Sequence, residues 1–238
     1  MLSAQHLVKS FAGRRILENV TLTVQRGEVV ALLGPNGAGK TTTFQLLTGM
    51  SVPDAGTIRL DGADITRMPF YDRARRGIAY LPQASFVPAS LSVSDNILLV
   101  LEAHVRSEPE RRRQLAELLA EFRLEELAKM AVGKLSGGQR RRCEIAITLA
   151  CKPSFAMLDE PFAGVDPRNT DEITGLIRHL AERDIGVLIT DHKARELLQI
   201  VDRAYVIESG AILAHGVVDE IVSHAEVRRV YLGESFRL

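Results

Sequence analysis

The chain lacks a net charge: Lys+Arg and Asp+Glu stand at 30 each in 238 residues. Such a balance supplies no long-range field that would draw it to nucleic acid or to an anionic membrane, so any contact of that kind has to be local. Cysteine is nearly absent. Cys143 and Cys151 lie in one apolar segment without ligand spacing around them, which points away from a disulfide framework and toward buried thiols in a reduced, cytosolic setting. Also missing is any apolar run near the roughly 18 residues that a membrane span requires, and the opening MLSAQHLVKS has no secretory apolar region. The expectation is a protein neither secreted nor itself membrane-spanning. What is present, 46% hydrophobic and 25% charged residues, is an ordinary globular composition with ample material for a core. The length suits one sizeable domain, or a domain with an inserted subdomain.

The stretch that organises the rest is Glu28 to Thr48, EVVALLGPNGAGKTTTFQLLT. Val29 to Leu33 has the length and β-branched content of a buried strand, and the segment from Thr41, with Phe44, Leu46 and Leu47, suits a helix packed on a sheet. Between them, Gly34, Pro35, Asn36, Gly37, Ala38, Gly39, Lys40 and Thr41 spell G-x-x-x-x-G-K-T, the pattern of a phosphate-binding P-loop. A triphosphate is a dense anion that must be wrapped by donors. The glycines allow sharp turns that bring backbone N–H groups to the phosphate oxygens, and the helix N-terminus adds unpaired N–H groups and the positive end of its dipole. Lys40 offers an ammonium to the β- and γ-phosphates, and the Thr41 hydroxyl is placed to ligate magnesium.

Before this stretch, alternating apolar positions such as Val20, Leu22 and Val24, with turns at Ala12-Gly13 and Arg26-Gly27, predict a small, partly antiparallel strand set. After it, Pro53 and Ala55-Gly56 are expected to end the helix, TIRLDG to form a strand and turn, and IAYLPQ to form a strand ending in Gln83. A strand end is where an α/β sheet presents functional groups. From about Ala84 to Pro153 the texture is helical. Ser107-Glu108-Pro109-Glu110 fits a capping box, and Leu115, Leu118, Leu119 and Phe122 form one buried stripe, with Arg111 to Arg113 on a solvated face. The α/β pattern resumes with the strand SFAMLDEP, a helix over Thr170–Ala181, the strand GVLIT, and two strands joined at Ser209-Gly210.

Two further motifs carry chemistry. An apolar strand delivers Asp159 and Glu160: the first suits the second magnesium-site carboxylate of P-loop enzymes, and the second a general base for the water that attacks the γ-phosphate. Leu135-Ser136-Gly137-Gly138-Gln139 opens a helix running to about Ala150, with Ser136 and Gln139 spaced as a capping box. Two glycines after a hydroxyl also expose N–H groups at a helix N-terminus, a second anion site. Two such helix ends invite a two-sided nucleotide sandwich.

GPNGAGKT, LSGGQ, a glutamine after an apolar strand, DEP, Val165-Asp166 and Asp191-His192, in this order over nearly the whole chain, resemble the ATPase subunits of ABC transporters. The likeness is nearest to the ATPases of lipopolysaccharide export, through ARRGIAYLPQ, DEPFAGVDP, GVLITDH and above all the C-terminal VYLGESFRL. The resemblance implies an α/β fold: a P-loop NTPase (RecA-like) core over 1–83 and 154–238, with a small antiparallel β-subdomain, and an inserted α-helical subdomain over 84–153 that carries the signature. It implies ATP and Mg2+ as cofactors, with Thr41, Gln83 and Asp159 at the metal. Phe11 then stacks on adenine, where Tyr is more frequent, and Thr42 joins the phosphate loop. Gln83 senses magnesium and the attacking water, and His192 is the switch histidine at the γ-phosphate, so the catalytic set is Glu160, His192 and Gln83. The other five histidines are structural or exposed. Ser136, Gly137, Gly138 and Gln139 are implied to act in trans, on ATP held by a second copy, with Asp166 near the shared interface. The implied partners are a second copy on ATP binding and two transmembrane subunits of the Lpt F and G type, at the cytoplasmic face of the inner membrane, with no nucleic acid and no membrane contact except through those subunits.

Two departures from the export pattern stand out. ASFVPAS (84–90) lacks the basic pair often found before Leu-Ser there, and LSGGQ has Gln where Glu is frequent. The ATPase of a branched-chain amino-acid importer remains an alternative, against which the short insertion and the VYLGESFRL tail weigh. So does a soluble ABC protein or regulatory module, which usually carries tandem halves or a long coiled-coil insertion.

Overall fold

The computed structural model describes the backbone of all 238 residues and every side chain except those of 167–169. In chain order the strands are β1 (Leu2–Phe11), β2 (Arg14–Val24), β3 (Val29–Leu33), β4 (Ala55–Leu60), β5 (Ala63–Asp64), β6 (Ile78–Leu81), β7 (Phe155–Asp159), β8 (Gly186–Thr190), β9 (Arg203–Glu208) and β10 (Ala211–Val217). The α-helices are α1 (Lys40–Thr48), α2 (Phe70–Arg75), α3 (Val93–His104), α4 (Glu108–Glu121), α5 (Gly137–Ala150), α6 (Pro167–Glu182), α7 (Ala194–Leu198), α8 (Val218–Ser223) and α9 (Ala225–Val227).

All ten strands join one sheet in the order β5-β4-β1-β2-β10-β9-β3-β8-β7-β6. The run β9-β3-β8-β7-β6 is parallel throughout, whereas β5, β4, β1 and β2 pair antiparallel at the other side. Two cores follow from the pleat. Val29, Ala31 and Leu33 of β3 pack into one cluster with α3 to α6, and Val30 and Leu32 pack into the other with Phe44, Leu46 and Leu47 of α1. A strand buried on both faces has to be apolar at every position, which is why VVALL shows no alternation. Parallel neighbours end at the same edge, so the carboxyl ends of β3, β6, β7 and β8 line up there, with β8 lying between β3 and β7.

One expected helix boundary moves, and one expected cap is not made. The stop of α1 is Gly49, in the left-handed region at φ 82° with its N–H bonded to Leu46 O, several residues ahead of Pro53. A hinge of this kind needs glycine, because any Cβ would lie 2.8 Å from both Met68 O and Arg73 Nε. At α4, Ser107 is the N-cap residue but makes no side-chain cap bond, so the expected capping box is not formed. The carboxylate of Glu110 is drawn instead to Arg113 and Gln114. A complete box occurs at Ser92 and Asp95, ahead of α3.

The fully buried Arg73 secures the far end of α1: it donates to Leu46 O and Leu47 O at 2.6 and 2.8 Å, and to Met68 O and Thr66 O. Burial pulls this guanidinium down to about 10, and the carbonyls at the negative end of the helix dipole are what hold it. Gly49→Ala is expected to lower stability by roughly 1–3 kcal/mol, through its left-handed backbone and the crowding of Arg73; chemical denaturation checks this.

Candidate active site

The loop after β3 is shaped by contacts that exclude side chains. A Cβ at Gly34 would lie 2.1 Å from Ile207 O, and one at Gly39 would lie 2.4 Å from a Leu17 methyl, so the loop lies flush on β9 and β2. Within it, the buried Lys40 ammonium donates to Gly34 O at 2.6 Å and to Pro35 O at 3.0 Å. Burial lowers the Lys40 pKa, and the nearby Glu160 and Asp159 carboxylates oppose that shift. Around this loop opens a cavity of about 520 Å³, lined by Phe11, Arg14, Ile16, Asn36, Gly37, Gly39, Lys40, Thr41, Thr42, Gln83, Glu160 and His192. That volume is in the range of sites that enclose a nucleotide-sized ligand.

Three predicted residues meet at one carboxylate. Gln83 Nε2 donates to Glu160 Oε2 at 2.6 Å, and His192 Nε2 lies 2.7 Å from Glu160 Oε1. They arrive from the ends of β6, β7 and β8. Glu160 itself has a left-handed backbone, φ 50°, which is costly for a residue with a Cβ. Its N–H bonds to Thr190 O at 2.8 Å, and its carbonyl accepts from Ala163 N–H at 3.0 Å. Asp159 is buried one residue earlier and accepts from the Tyr80 hydroxyl at 3.2 Å. Desolvation raises the Asp159 carboxyl above its ordinary range, against the Tyr80 hydrogen bond, and burial beside Asp159 pushes the Tyr80 phenol up. Among the described residues no cluster of three or more His, Cys, Asp or Glu could cage a metal. The exposed Thr41 hydroxyl, the buried Asp159 and the Gln83 carbonyl fit a Mg2+ ion that keeps most of its shell from phosphates and water, and a cation is what a desolvated Asp159 calls for.

Ser136, Gly137, Gly138 and Gln139 are not brought to this cavity; none of them lines it. Ser136 and Gln139 form the reciprocal capping box, with Gln139 N–H to Ser136 Oγ at 3.3 Å and Ser136 N–H to Gln139 Oε1 at 3.0 Å. The N-terminus of α5 presses on the loop that follows Glu160, where a Cβ on Gly137 would lie 2.2 Å from Gly164 O. Asp191 ties the same loop to the end of β8, accepting from Phe162 N–H and Lys193 N–H at 3.0 Å each.

One residue that sequence reading passes over holds these parts together. Arg141, on α5, is buried and donates to the carbonyls of Pro82, Asp159, Glu160 and Pro161 at 3.3, 3.1, 3.0 and 3.0 Å, while pairing with the buried Glu144 at 2.8 Å. It fixes the backbone on both sides of the Gln83–Glu160 contact. The available signal is helical spacing: Arg141 and Glu144 share the buried face of α5 with Ile145 and Thr148, where an i, i+3 charge pair has no place unless it serves the neighbouring chain.

With this geometry in view, comparison with known proteins is direct. A family model described as ABC transporter matches residues 17–163, more than half of the chain. The chain belongs to the ABC transporter ATPase family. It is 50% identical to the lipopolysaccharide export system ATP-binding protein LptB of Escherichia coli K12, over all of this chain and 99% of that protein. An uncharacterized ABC transporter ATP-binding protein of Rhizobium meliloti is 52% identical over all of this chain and 88% of its own length. Among solved structures, the ADP conformation of MJ1267, an ATP-binding cassette of an ABC transporter, superposes with a TM-score of 0.88 at 27% identity, covering 98% of this chain and 99% of that one. A dimeric post-hydrolysis state of the cassette MJ0796 bound to ADP and Pi gives 0.81 at 25% identity, over 92% and 99%. A second family model, described as branched-chain amino acid ATP-binding cassette transporter, matches residues 211–237. The tail VYLGESFRL falls almost wholly within that match, so, against the expectation from the sequence, it does not separate export from import. The chain is an ATP-binding, ATP-hydrolysing cassette.

Arg141→Lys keeps a cation beside Glu144 but has no fork to hold four carbonyls. Turnover is expected to fall by roughly 10- to 100-fold through misplacement of Glu160, with nucleotide affinity changed only a few-fold; steady-state kinetics beside equilibrium nucleotide binding tests the split. Asp159→Asn removes a desolvated charge, so it is expected to raise the melting temperature of the nucleotide-free protein at neutral pH while abolishing magnesium-dependent hydrolysis. Because the folded-state pKa of Asp159 is raised, that gain is expected to shrink as pH falls toward the range where the carboxyl is protonated in both states.

Proposed function

We propose that this cassette hydrolyses ATP to drive lipopolysaccharide export from the inner membrane, as an ATP-closed homodimer held on the cytoplasmic face by two transmembrane subunits of the Lpt F and G type. The observation that carries this reading is the 50% identity with LptB over the full length of both chains. No helix among the described residues is long and apolar enough to cross a membrane, so membrane attachment is assigned to the partner subunits. Exposed Phe86, Leu99 and Met130, around the segment after Gln83 and on the helical part, offer them apolar contacts. The helical part over 84–153 is proposed as the insertion that carries their motion.

In the proposed mechanism the P-loop backbone, the N-terminus of α1 and Lys40 hold the β- and γ-phosphates, and Phe11 meets the base. Thr41, Asp159 and Gln83 would hold Mg2+, which supplies charge neutralisation at the phosphates. Glu160 takes the proton of the attacking water. Both of its oxygens are engaged in the present arrangement, Oε2 by Gln83 and Oε1 by His192. A γ-phosphate that draws His192 away frees Oε1 for water, so arrival of ATP arms the base. Ser136 to Gln139, remote from the chain's own cavity, close over the nucleotide of the second copy; the dimeric state of MJ0796 supports the pairing of two copies. Hydrolysis then loosens the closed pair, turning a chemical step into an opening motion.

The match of residues 211–237 to the branched-chain amino acid model favours one other reading, the ATPase of an amino-acid importer. Isolation of the complex from membranes decides between them: export-type subunits with bound lipopolysaccharide support the proposal, and importer-type permeases alone would sink it. For the chemistry, Glu160→Gln is expected to slow hydrolysis by roughly 10²–10⁴-fold while ATP still drives dimer formation on size exclusion. Turnover at the parental rate would remove Glu160 from the role of base.

A further inference from the structure

Among the described residues that line the nucleotide cavity, Phe11 brings the only phenyl or phenol ring, and it does so with little support. It ends β1, it is 45% exposed, and it has no hydroxyl through which a hydrogen bond could fix its plane. A ring so placed is a poor platform for a base unless something else orients it, because ordering a free side chain on binding lowers affinity.

The orienting group is Lys9. Two residues before Phe11 on the same strand, its ammonium stands over the Phe11 ring, 5.3 Å from the centroid. Positions i and i+2 share a strand face, so the pairing follows from the backbone. The cation is not a loose surface charge. Lys9 Nζ donates to Val52 O at 2.7 Å and to Asp54 Oδ1 at 3.0 Å, and its side chain is 14% exposed. Asp54 is fixed in turn: its Oδ2 accepts from Ser10 N–H at 2.7 Å, and its own N–H donates to Val8 O at 2.8 Å. The segment between α1 and β4 thus clamps an ammonium over the ring that meets the nucleotide.

We propose that Lys9 is a positioning residue for the nucleobase: held by Val52 and Asp54, it fixes the Phe11 ring from one side and leaves the other face to stack on the purine. A cation above one face draws π-density toward itself, which makes the opposite face less negative and better suited to an electron-rich base. The arrangement supplies orientation that a hydroxyl would otherwise provide. This inference rests on the reading of Phe11 as the base platform.

The test compares a nucleotide with a phosphate chain that has no base. Equilibrium titrations of the full chain with ADP and with inorganic pyrophosphate are made for the parent, Lys9→Met, Lys9→Arg, Phe11→Leu and the Lys9→Met/Phe11→Leu pair. Lys9→Met is expected to weaken ADP by about two- to fivefold, the worth of an exposed cation–ring contact, and to leave pyrophosphate unchanged. Lys9→Arg is expected to keep the parental ADP affinity, and Lys9→Met to have no further effect once Phe11 is Leu. Equal weakening of both ligands, unchanged ADP binding, or an undiminished Lys9→Met effect in the Phe11→Leu background would each overturn the role of Lys9. If Phe11→Leu alone leaves ADP affinity untouched, the base platform itself is lost and the inference with it; if it weakens ADP while Lys9→Met is silent, only Lys9 is dismissed.

Discussion

Everything at the candidate site depends on keeping one carboxylate in a backbone conformation that its residue type disfavours. Glu160 lies in the left-handed region, and such a residue persists only where its surroundings over-determine it. Here they do. Thr190 O takes its N–H, Ala163 and Arg141 take its carbonyl, and Gln83 and His192 take its two oxygens. Remove the parallel alignment of β6, β7 and β8, and Thr190, Gln83 and His192 no longer reach it. The sheet is therefore the precondition of the chemistry, and the apolar strands on both sides of β8 are what make the sheet.

The part of the molecule closest to the phosphate was legible in the sequence because its determinants are local. The apolar β3, the turn of Gly34 to Gly39 and the start of α1 are each set by residues within one stretch, and so is the capping box of Ser136 and Gln139. Strands β6, β7 and β8 were legible for the same reason, from short apolar runs with polar ends. What escaped are partnerships over long separations. Periodicity says which face of α5 is buried but not that Arg141 on that face reaches carbonyls about twenty residues later in the chain. Nor does it say that Tyr80 answers Asp159 from the neighbouring strand, or that β8 slips between β3 and β7. The capping box at Ser107 failed through competition: Arg113 and Gln114 are nearer claimants for the Glu110 carboxylate.

The C-terminal tail teaches a different lesson. VYLGESFRL resembles the tail of the export ATPases, yet its segment matches a model of the importer group. A tail that packs on the common core, as Tyr231, Leu232 and Phe236 do here, is constrained by that core and not by cargo. Identity spread over the full chain is the better guide, since it samples partner-facing surfaces as well.

The close approach of Gly137 to Gly164 has a further consequence. One end of α5 and the loop leading to Asp166 touch backbone to backbone, without side chains that could yield between them. Two bodies meshed in that way behave like gear teeth: a shift of one is passed to the other with almost no lost motion. In a facing pair of copies, the helix end proposed to close on the partner's nucleotide and the loop that begins at the chain's own Glu160 would then advance together. Each half of the assembly would thereby register the state of both nucleotides at once.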